Sequence, residues 1–239
     1  MTVLAIIQAR MCSSRFPGKI MKELNGKPII QHIVDFLKYS KTIDKILIAT
    51  TVLSEDDLVE LFAKKIDIDC FRGDPNNVLE RFYKCAIKYN SSLIVRLTAD
   101  NPLINPKIID ELINTCKNDS CDYVSNCLHQ TYPYGYSTCE VFTFSTLKYL
   151  YENQKDNQSF EHVTSFIRKN PNSFKVKEIK APSNLSRPNW KLSVDTEKDY
   201  LLMKNIFSNL YHKDSFIDYD ILIKFLDANK ESLESKNNN

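Results

Sequence analysis

The sequence predicts an α/β fold of the doubly wound kind, a mostly parallel sheet flanked by helices. Three observations predict it. Four short apolar runs, at 3–7, 45–50, 92–98 and 121–125, read as buried strands. Helical patterns separate them, which is the rhythm of a parallel sheet covered on both faces. The chain has 239 residues, 43% of them hydrophobic, enough for a sizeable core. One domain over 1–230 is expected, because no linker rich in Gly, Pro or Ser divides it and no internal repeat is present; the polar end, 231–239, reads as a disordered tail.

Element by element, Val3, Leu4, Ala5, Ile6 and Ile7 make the first strand, and Ile29, Ile30, Ile33, Val34, Phe36 and Leu37 recur on one helical face. The run KILIAT at 45–50 precedes a helix over 54–65, which Ser54 and Asp57 would open as a capping box. A helix over 77–89 carries Val78, Leu79, Phe82, Tyr83, Ala86 and Ile87. After SLIVRLT at 92–98, another follows Pro106 through Leu112. Beyond CDYVS at 121–125 the pattern changes. Residues 132–136, YPYGY, read as a turn-rich loop, and 140–144 as a strand. A helix at 161–168, strands at 174–179 and 191–194, and helices at 196–208 and 218–229 complete the chain.

Charge and composition exclude several classes. The formal net charge is +2, from 32 Lys and Arg against 30 Asp and Glu, so no broad positive field for a nucleic acid is expected. No apolar run approaches the roughly 20 residues of a membrane span, and no basic segment precedes the first apolar run, so a cytoplasmic location is expected. The cysteines at 12, 70, 85, 116, 121, 127 and 139 form no C-x-x-C pair and read as reduced thiols. Zinc ligation by Cys116, Cys121 and Cys127 is the sharper alternative, but their spacing matches no common zinc pattern. Only 4 glycines occur, where average usage would give roughly 17. Gly18, Gly26, Gly73 and Gly135 therefore mark loops where backbone turns sharply or approaches a ligand.

Ligands of an open α/β sheet bind beyond the carboxyl ends of its strands. ARMCSSRFPGK, 9–19, is such a loop directly after the first strand: Arg10, Arg15 and Lys19 offer charge, Ser13 and Ser14 hydroxyls, and Gly18 close backbone approach, a set that suits a chain of phosphates. A solvated basic loop is the plainer reading, and neither the Walker loop nor the dinucleotide fingerprint is present. Asp100, in RLTADNPLI, and Asp195, in KLSVDTEKD, follow strand runs. Two such carboxylates beside phosphates are what an octahedral Mg²⁺ takes, although Asp195 could instead cap the helix that follows. FRGDPNNVLERF supplies Arg72, Gly73 and Asp74 in a loop, with Glu80 and Arg81 one turn into a helix; alone these are a solvated face, and beside a nucleotide they could read base or ribose. Glu161, His162 and Arg168 fit the polar side of an amphipathic helix. A metal-dependent glycosyltransferase would need a D-x-D motif after a buried strand, and neither Asp67-Ile68-Asp69 nor Asp218-Tyr219-Asp220 is so placed.

In order, IIQARMCSSRFPGK, GKPIIQHIVDFL, FRGDPNNVLERFYKCA, VRLTADNPLI, DYVSN, EVFTFSTL, EHVTSFIR and NWKLSVDTEKD resemble the SpsF-type spore coat polysaccharide biosynthesis proteins. These belong with the cytidylyltransferases that make CMP-activated acidic sugars. The resemblance covers roughly residues 3–208. It implies a Rossmann-like sheet of the nucleotide-diphospho-sugar transferase type, with a small β-rich insertion in the second half. It also implies an Mg²⁺-dependent transfer of CMP from CTP to an acidic or phosphorylated sugar for surface polysaccharide or glycan synthesis. On this resemblance Ala9, Arg10, Ser13, Ser14, Arg15 and Lys19 would hold the triphosphate and Asp100 and Asp195 the metal, with Arg15, Lys19 and Asp100 catalytic. Arg72, Gly73, Asp74 and Arg81 would lie near the base. Glu140, Glu161 and Arg168 match acceptor-binding positions by order, and Tyr134 stands in a loop that could face the acceptor sugar or a partner. Ala99 replaces the Gly that relatives often carry before the metal carboxylate. A homodimer is expected. UTP or dTTP transfer to a sugar 1-phosphate, and a nucleotide-binding protein without turnover, stay open.

Overall fold

The computed structural model describes residues 1–154, 160–213 and 215–229; the expected tail at 231–239 lies outside them. The central strands are β1 (Val3–Gln8), β4 (Lys45–Thr51), β5 (Asp69–Gly73), β6 (Leu93–Thr98), β7 (Tyr123–Ser125), β8 (Glu140–Thr143) and β9 (Val176–Glu178). They form one sheet in the order β5-β4-β1-β6-β8-β7-β9. A separate two-stranded hairpin joins β2 (Glu23–Leu24) to β3 (Lys27–Pro28). Strands β5, β4, β1 and β6 run parallel. β8 pairs antiparallel with β6 and with β7, and β9 lies parallel to β7, so the β-rich second half extends the same sheet.

The helices are α1 (Ile29–Leu37), α2 (Asp57–Lys65), α3 (Val78–Lys88), α4 (Pro106–Asn118), α5 (Phe144–Asn153), α6 (Ser165–Lys169), α7 (Glu197–Leu210) and α8 (Tyr219–Ala228). Because side chains alternate along a strand, β1 feeds two cores. Val3, Ala5 and Ile7 pack with apolar faces of α1, α4, α7 and α8; Leu4 and Ile6 pack with those of α3 and α5. Burial on both faces is why β1 and β4 read as continuous apolar runs.

The chain steps outward from β1 through β4 to β5 and then returns to the other side of β1 with β6. The connections diverge between the carboxyl ends of β1 and β6, which opens a crevice there. Loop 9–19 leaves β1 and the turn at Asp100 leaves β6, so topology brings them together.

Several expectations from sequence need correction. The capping box at Ser54 and Asp57 does not form: residues Ser54–Asp56 make a 3₁₀ turn, α2 starts at Asp57, and no side chain caps either. Arg72 and Gly73 end strand β5 rather than lying in a loop, paired in register with Thr50 and Thr51 of β4. Phe144 opens α5, with the Thr143 hydroxyl accepting from the Thr146 N–H, so the strand expected over 140–144 stops at Thr143. α4 continues past Leu112 to Asn118 because Ile113 and Cys116 prolong its buried face. Residues 191–194 form no strand; one isolated bridge, Tyr134 to Lys191, takes its place.

Candidate active site

Loop 9–19 is a closed structure rather than a free basic segment. The Gly18 N–H donates to the Met11 carbonyl at 2.9 Å, and the Met11 N–H donates to Asp56 Oδ1 at 2.7 Å. Gly18 has φ +67, a left-handed turn that suits glycine and directs the chain into the 3₁₀ turn Lys19–Met21. Lys19 is thereby pulled inward and is only 9% exposed, whereas Arg10, Ser14 and Arg15 face solvent. A cavity of about 210 Å³ opens above the loop, lined by Arg10, Ser13, Ser14, Arg15, Lys19 and, from the other side, Asp100 and Asp195. Ala9 does not line it: its side chain is in the core and its N–H donates to the Ala49 carbonyl at 3.0 Å.

The Lys19 ammonium joins the two carboxylates, with Nζ 2.9 Å from Asp100 Oδ2 and 3.1 Å from Asp195 Oδ1. Backbone pairing puts them there, because the Val194 N–H donates to the Asp100 carbonyl at 2.9 Å. The Thr98 hydroxyl donates to Asp100 Oδ1 at 2.7 Å, and the Ser193 hydroxyl to Asp195 Oδ2 at 3.0 Å. Asp195 also receives Arg15 and Lys191, each at 3.1 Å. Burial alone would raise the Asp195 carboxyl, but Lys191, Lys19 and the Ser193 hydroxyl outweigh it and hold its pKa at about 2. Asp195 does not cap α7: Thr196 and Asp199 form that capping box, and the Asp195 N–H donates to Asp199 at 3.0 Å. The carboxylate is left facing the cavity.

These residues fit an Mg²⁺ ion. Two carboxylates on one side, and room for phosphate oxygens and water on the other, form the hard oxygen set that this cation takes. Among the described residues no group of three or more His, Cys, Asp and Glu side chains is suited to hold a metal, so substrate oxygens would have to complete the shell. The seven cysteines are free thiols.

A second cavity of about 570 Å³ adjoins the first and shares Gln8, Thr98 and Asp100 with it. Tyr134, Glu161 and Arg168 line it. The 132–136 loop is divided by its packing: Tyr136 stacks with Tyr132 and with Tyr219 inside, Tyr132 meets Tyr219 at a tilt, and Tyr134 is half exposed toward the cavity. Glu161 reaches across to Arg10 at 3.8 Å. Glu140 does not line the cavity but lies beneath it, fully buried. Its Oε1 accepts from the Tyr123 hydroxyl at 2.6 Å, the Thr164 hydroxyl at 2.6 Å and Arg168 at 2.7 Å, and its Oε2 accepts from Arg96. Burial works to raise the Glu140 carboxyl, yet Arg96 and Arg168, with the two hydroxyls, bring it down to about 2.

The 72–81 segment is not brought to either cavity. Arg72 is held by the Thr51 and Leu53 carbonyls at 2.9 and 2.8 Å and by Asp57 and Glu60 at 2.6 and 2.9 Å. Arg81 is buried and donates to the Asp74 carbonyl at 2.7 Å; burial, then the nearby charge of Arg10, lowers its pKa. A Cβ on Gly73 would stand 2.7 Å from Arg81 Cγ, so this glycine makes room for that side chain. Sequence reasoning missed Asp56, Gln8, Arg96 and Thr164. For Arg96 there was a signal, a charge inside the apolar run SLIVRLT, and β8 sets Glu140 directly opposite it.

The chain matches the family model described as cytidylyltransferase over residues 4–236. It is 33% identical to the spore coat polysaccharide biosynthesis protein SpsF of Bacillus subtilis, with 86% of each chain covered. It is 36% identical to an uncharacterized protein of Methanocaldococcus jannaschii, covering 97% of this chain and 93% of that one. Among solved structures it is similar to a cytidylyltransferase from Leptospira borgpetersenii, with a TM-score of 0.91, 31% identity and 99% and 98% of the two chains covered. A CMP:2-keto-3-deoxy-manno-octonic acid synthetase complexed with CTP shares the fold at a TM-score of 0.69 and 16% identity, over 87% of this chain and 99% of that one. A family model matched over nearly the whole chain, relatives matched along most of their length and a sheet of the same fold make the chain a member of the cytidylyltransferase family.

Proposed function

We propose that the protein transfers CMP from CTP to an acidic or phosphorylated sugar, releases pyrophosphate, and serves surface polysaccharide or glycan synthesis in the cytoplasm. One observation carries the reading: in the smaller cavity the Lys19 ammonium lies between Asp195 and Asp100, and Asp100 lines the larger cavity as well. A triphosphate in the smaller cavity and an acceptor in the larger would face each other across Asp100, and a sugar oxygen would attack the α-phosphorus in line as pyrophosphate leaves. The protein acts mainly by positioning and charge neutralisation. Arg15 and Lys19 are placed to meet the negative charge of the leaving pyrophosphate. Asp100 and Asp195 would hold Mg²⁺, which when bound supplies Lewis-acid neutralisation of phosphate charge. Thr98 and Ser193 keep those carboxylates turned to the cavity. The resemblance to SpsF and to the CTP-bound synthetase supports cytidine as the base and a sugar as acceptor.

The test is pyrophosphate release in Mg²⁺ from CTP, UTP, ATP, GTP and dTTP against a panel of sugar acids and sugar phosphates, with Asp100→Asn as control. Release with CTP and one sugar, lost in the variant, is expected. Release only with UTP or dTTP and a sugar 1-phosphate would replace the reading.

A further inference from the structure

The buried carboxylate of Asp56 has a role that its place in the chain does not announce. Asp56 stands at the residue before α2, where a carboxylate ordinarily accepts from the helix's own first N–H groups. It makes no such bond. It is 2% exposed and turned away from the helix it precedes. Oδ1 accepts from the Met11 N–H at 2.7 Å, and Oδ2 accepts from the Thr51 N–H at 3.3 Å and from the Thr51 hydroxyl. The Thr51 hydroxyl oxygen in turn accepts from the Leu53 N–H at 3.2 Å. An element between β4 and α2 thus grips the backbone of a loop after β1.

The gripped point matters. Met11 is also the residue whose carbonyl receives the Gly18 N–H, so the bond that closes the 11–18 loop and the bond to Asp56 meet at one residue. Arg10 precedes that residue, and Ser13, Ser14 and Arg15 hang from the loop it closes. A short loop of exposed cations would otherwise sample many conformations, and ordering it at the moment of binding would weaken affinity. A buried carboxylate accepting backbone N–H bonds is a strong, low-dielectric anchor.

We infer that Asp56 is a positioning residue for the triphosphate: it never touches the nucleotide, and by fixing Met11 it fixes the frame from which Arg10, Ser13, Ser14 and Arg15 meet the phosphates. The inference rests on the nucleotide reading above. Its test is calorimetric titration of CTP and of inorganic pyrophosphate into the whole protein and into Asp56→Ala and Asp56→Asn. Asp56→Ala is expected to weaken both ligands in parallel by about tenfold or more, because the phosphate contacts are common to both. Asp56→Asn, whose amide oxygen can still accept from Met11, is expected to stay within about threefold of the parent. Asp56→Ala binding both ligands like the parent overturns the inference, and so does a loss confined to CTP, which would assign Asp56 to the base side. A parent protein that binds neither ligand would overturn the nucleotide reading itself and this inference with it. Should Asp56→Ala not fold, hydrogen exchange of the parent decides: the Met11 amide is expected to be protected without ligand, and exchange at the rate of an open loop overturns the anchor.

Discussion

Lys19 carries two demands at once. In the free protein it neutralises Asp100 and Asp195; in the reaction it would meet charge that grows on the leaving pyrophosphate. Lys19→Ala is therefore expected to lower kcat by about 10²- to 10³-fold, the cost typical of removing one donor aimed at transition-state charge. A rise in KM for CTP with kcat unchanged would reduce Lys19 to ground-state binding. Asp195 gives a second test. Its folded pKa, about 2, lies below the ordinary 3.8, so its contribution to stability is complete above pH 4 and fades as pH falls toward 2. That depression corresponds to something on the order of 2 kcal/mol. Urea unfolding of the parent at pH 7, 5, 4 and 3 is expected to show falling stability over the last steps, and Asp195→Asn to flatten part of that fall. An unchanged acid profile in the variant would mean that Lys19 and Lys191 do not stabilise the carboxylate.

Between elements near the site, Gly135 lets two backbone segments come close. It has φ +88, and a Cβ there would lie 2.8 Å from the Leu192 carbonyl carbon and tighter still on the Ser193 nitrogen. This contact lets the Tyr134 N–H donate to the Trp190 carbonyl at 2.8 Å and the Tyr134 carbonyl accept from Leu192 at 2.6 Å, two residues before the pairing that places Asp195. Gly135→Ala is expected to destabilise by about 2–4 kcal/mol, from left-handed strain plus backbone overlap, and to raise the KM for the acceptor. Thermal unfolding with kinetics checks it; a variant as stable as its parent would refute the packing argument. Such contacts explain what the sequence could and could not reveal. β1, β4, β6 and their helices were legible because burial on both faces writes a long apolar run. β5 was not: DCFRG is short, lies at the sheet edge and carries two charges, so it resembles a loop until β4 pairs with it. Asp100 stood out as a candidate because a carboxylate directly after a buried strand is unusual, and Lys19 because 9–19 gathers charge behind β1; Asp195 was singled out behind a strand run that does not form, and the Val194 N–H bond to the Asp100 carbonyl is what brings it there. Asp56 was hidden because its bond to Met11 spans 45 residues, and SEDD reads locally as a cap.

Over the whole molecule, the two cavities share the ends of β1 and β6 and diverge from there. The smaller turns to loop 9–19, and the larger adds Arg96 of β6 and runs toward Thr164 and Arg168, past the antiparallel junction of β6, β8 and β7. Glu140 fastens that junction, since its donors come from β6, β7, the turn before α6 and α6 itself. The chain of contacts also reaches the smaller cavity, because Arg96 donates to Gln8 at 3.3 Å and Gln8 lines both. Glu140→Gln would leave Arg96 and Arg168 without their buried anion and turn one acceptor oxygen into a donor facing donors. Breaking such a buried pair is expected to destabilise by about 3–5 kcal/mol at pH 7. The loss should shrink toward pH 3, because the parent's own Glu140, with its pKa held near 2, begins to lose its advantage there. In kinetics the effect should divide between the cavities. Arg168 and Thr164 stand on the larger one, so the KM for the acceptor is expected to rise at least about tenfold, while loop 9–19, held by Asp56 and Gly18, keeps the KM for CTP within about twofold. Equal losses for both substrates would mean that Glu140 supports the sheet as a whole and sets no boundary between donor and acceptor.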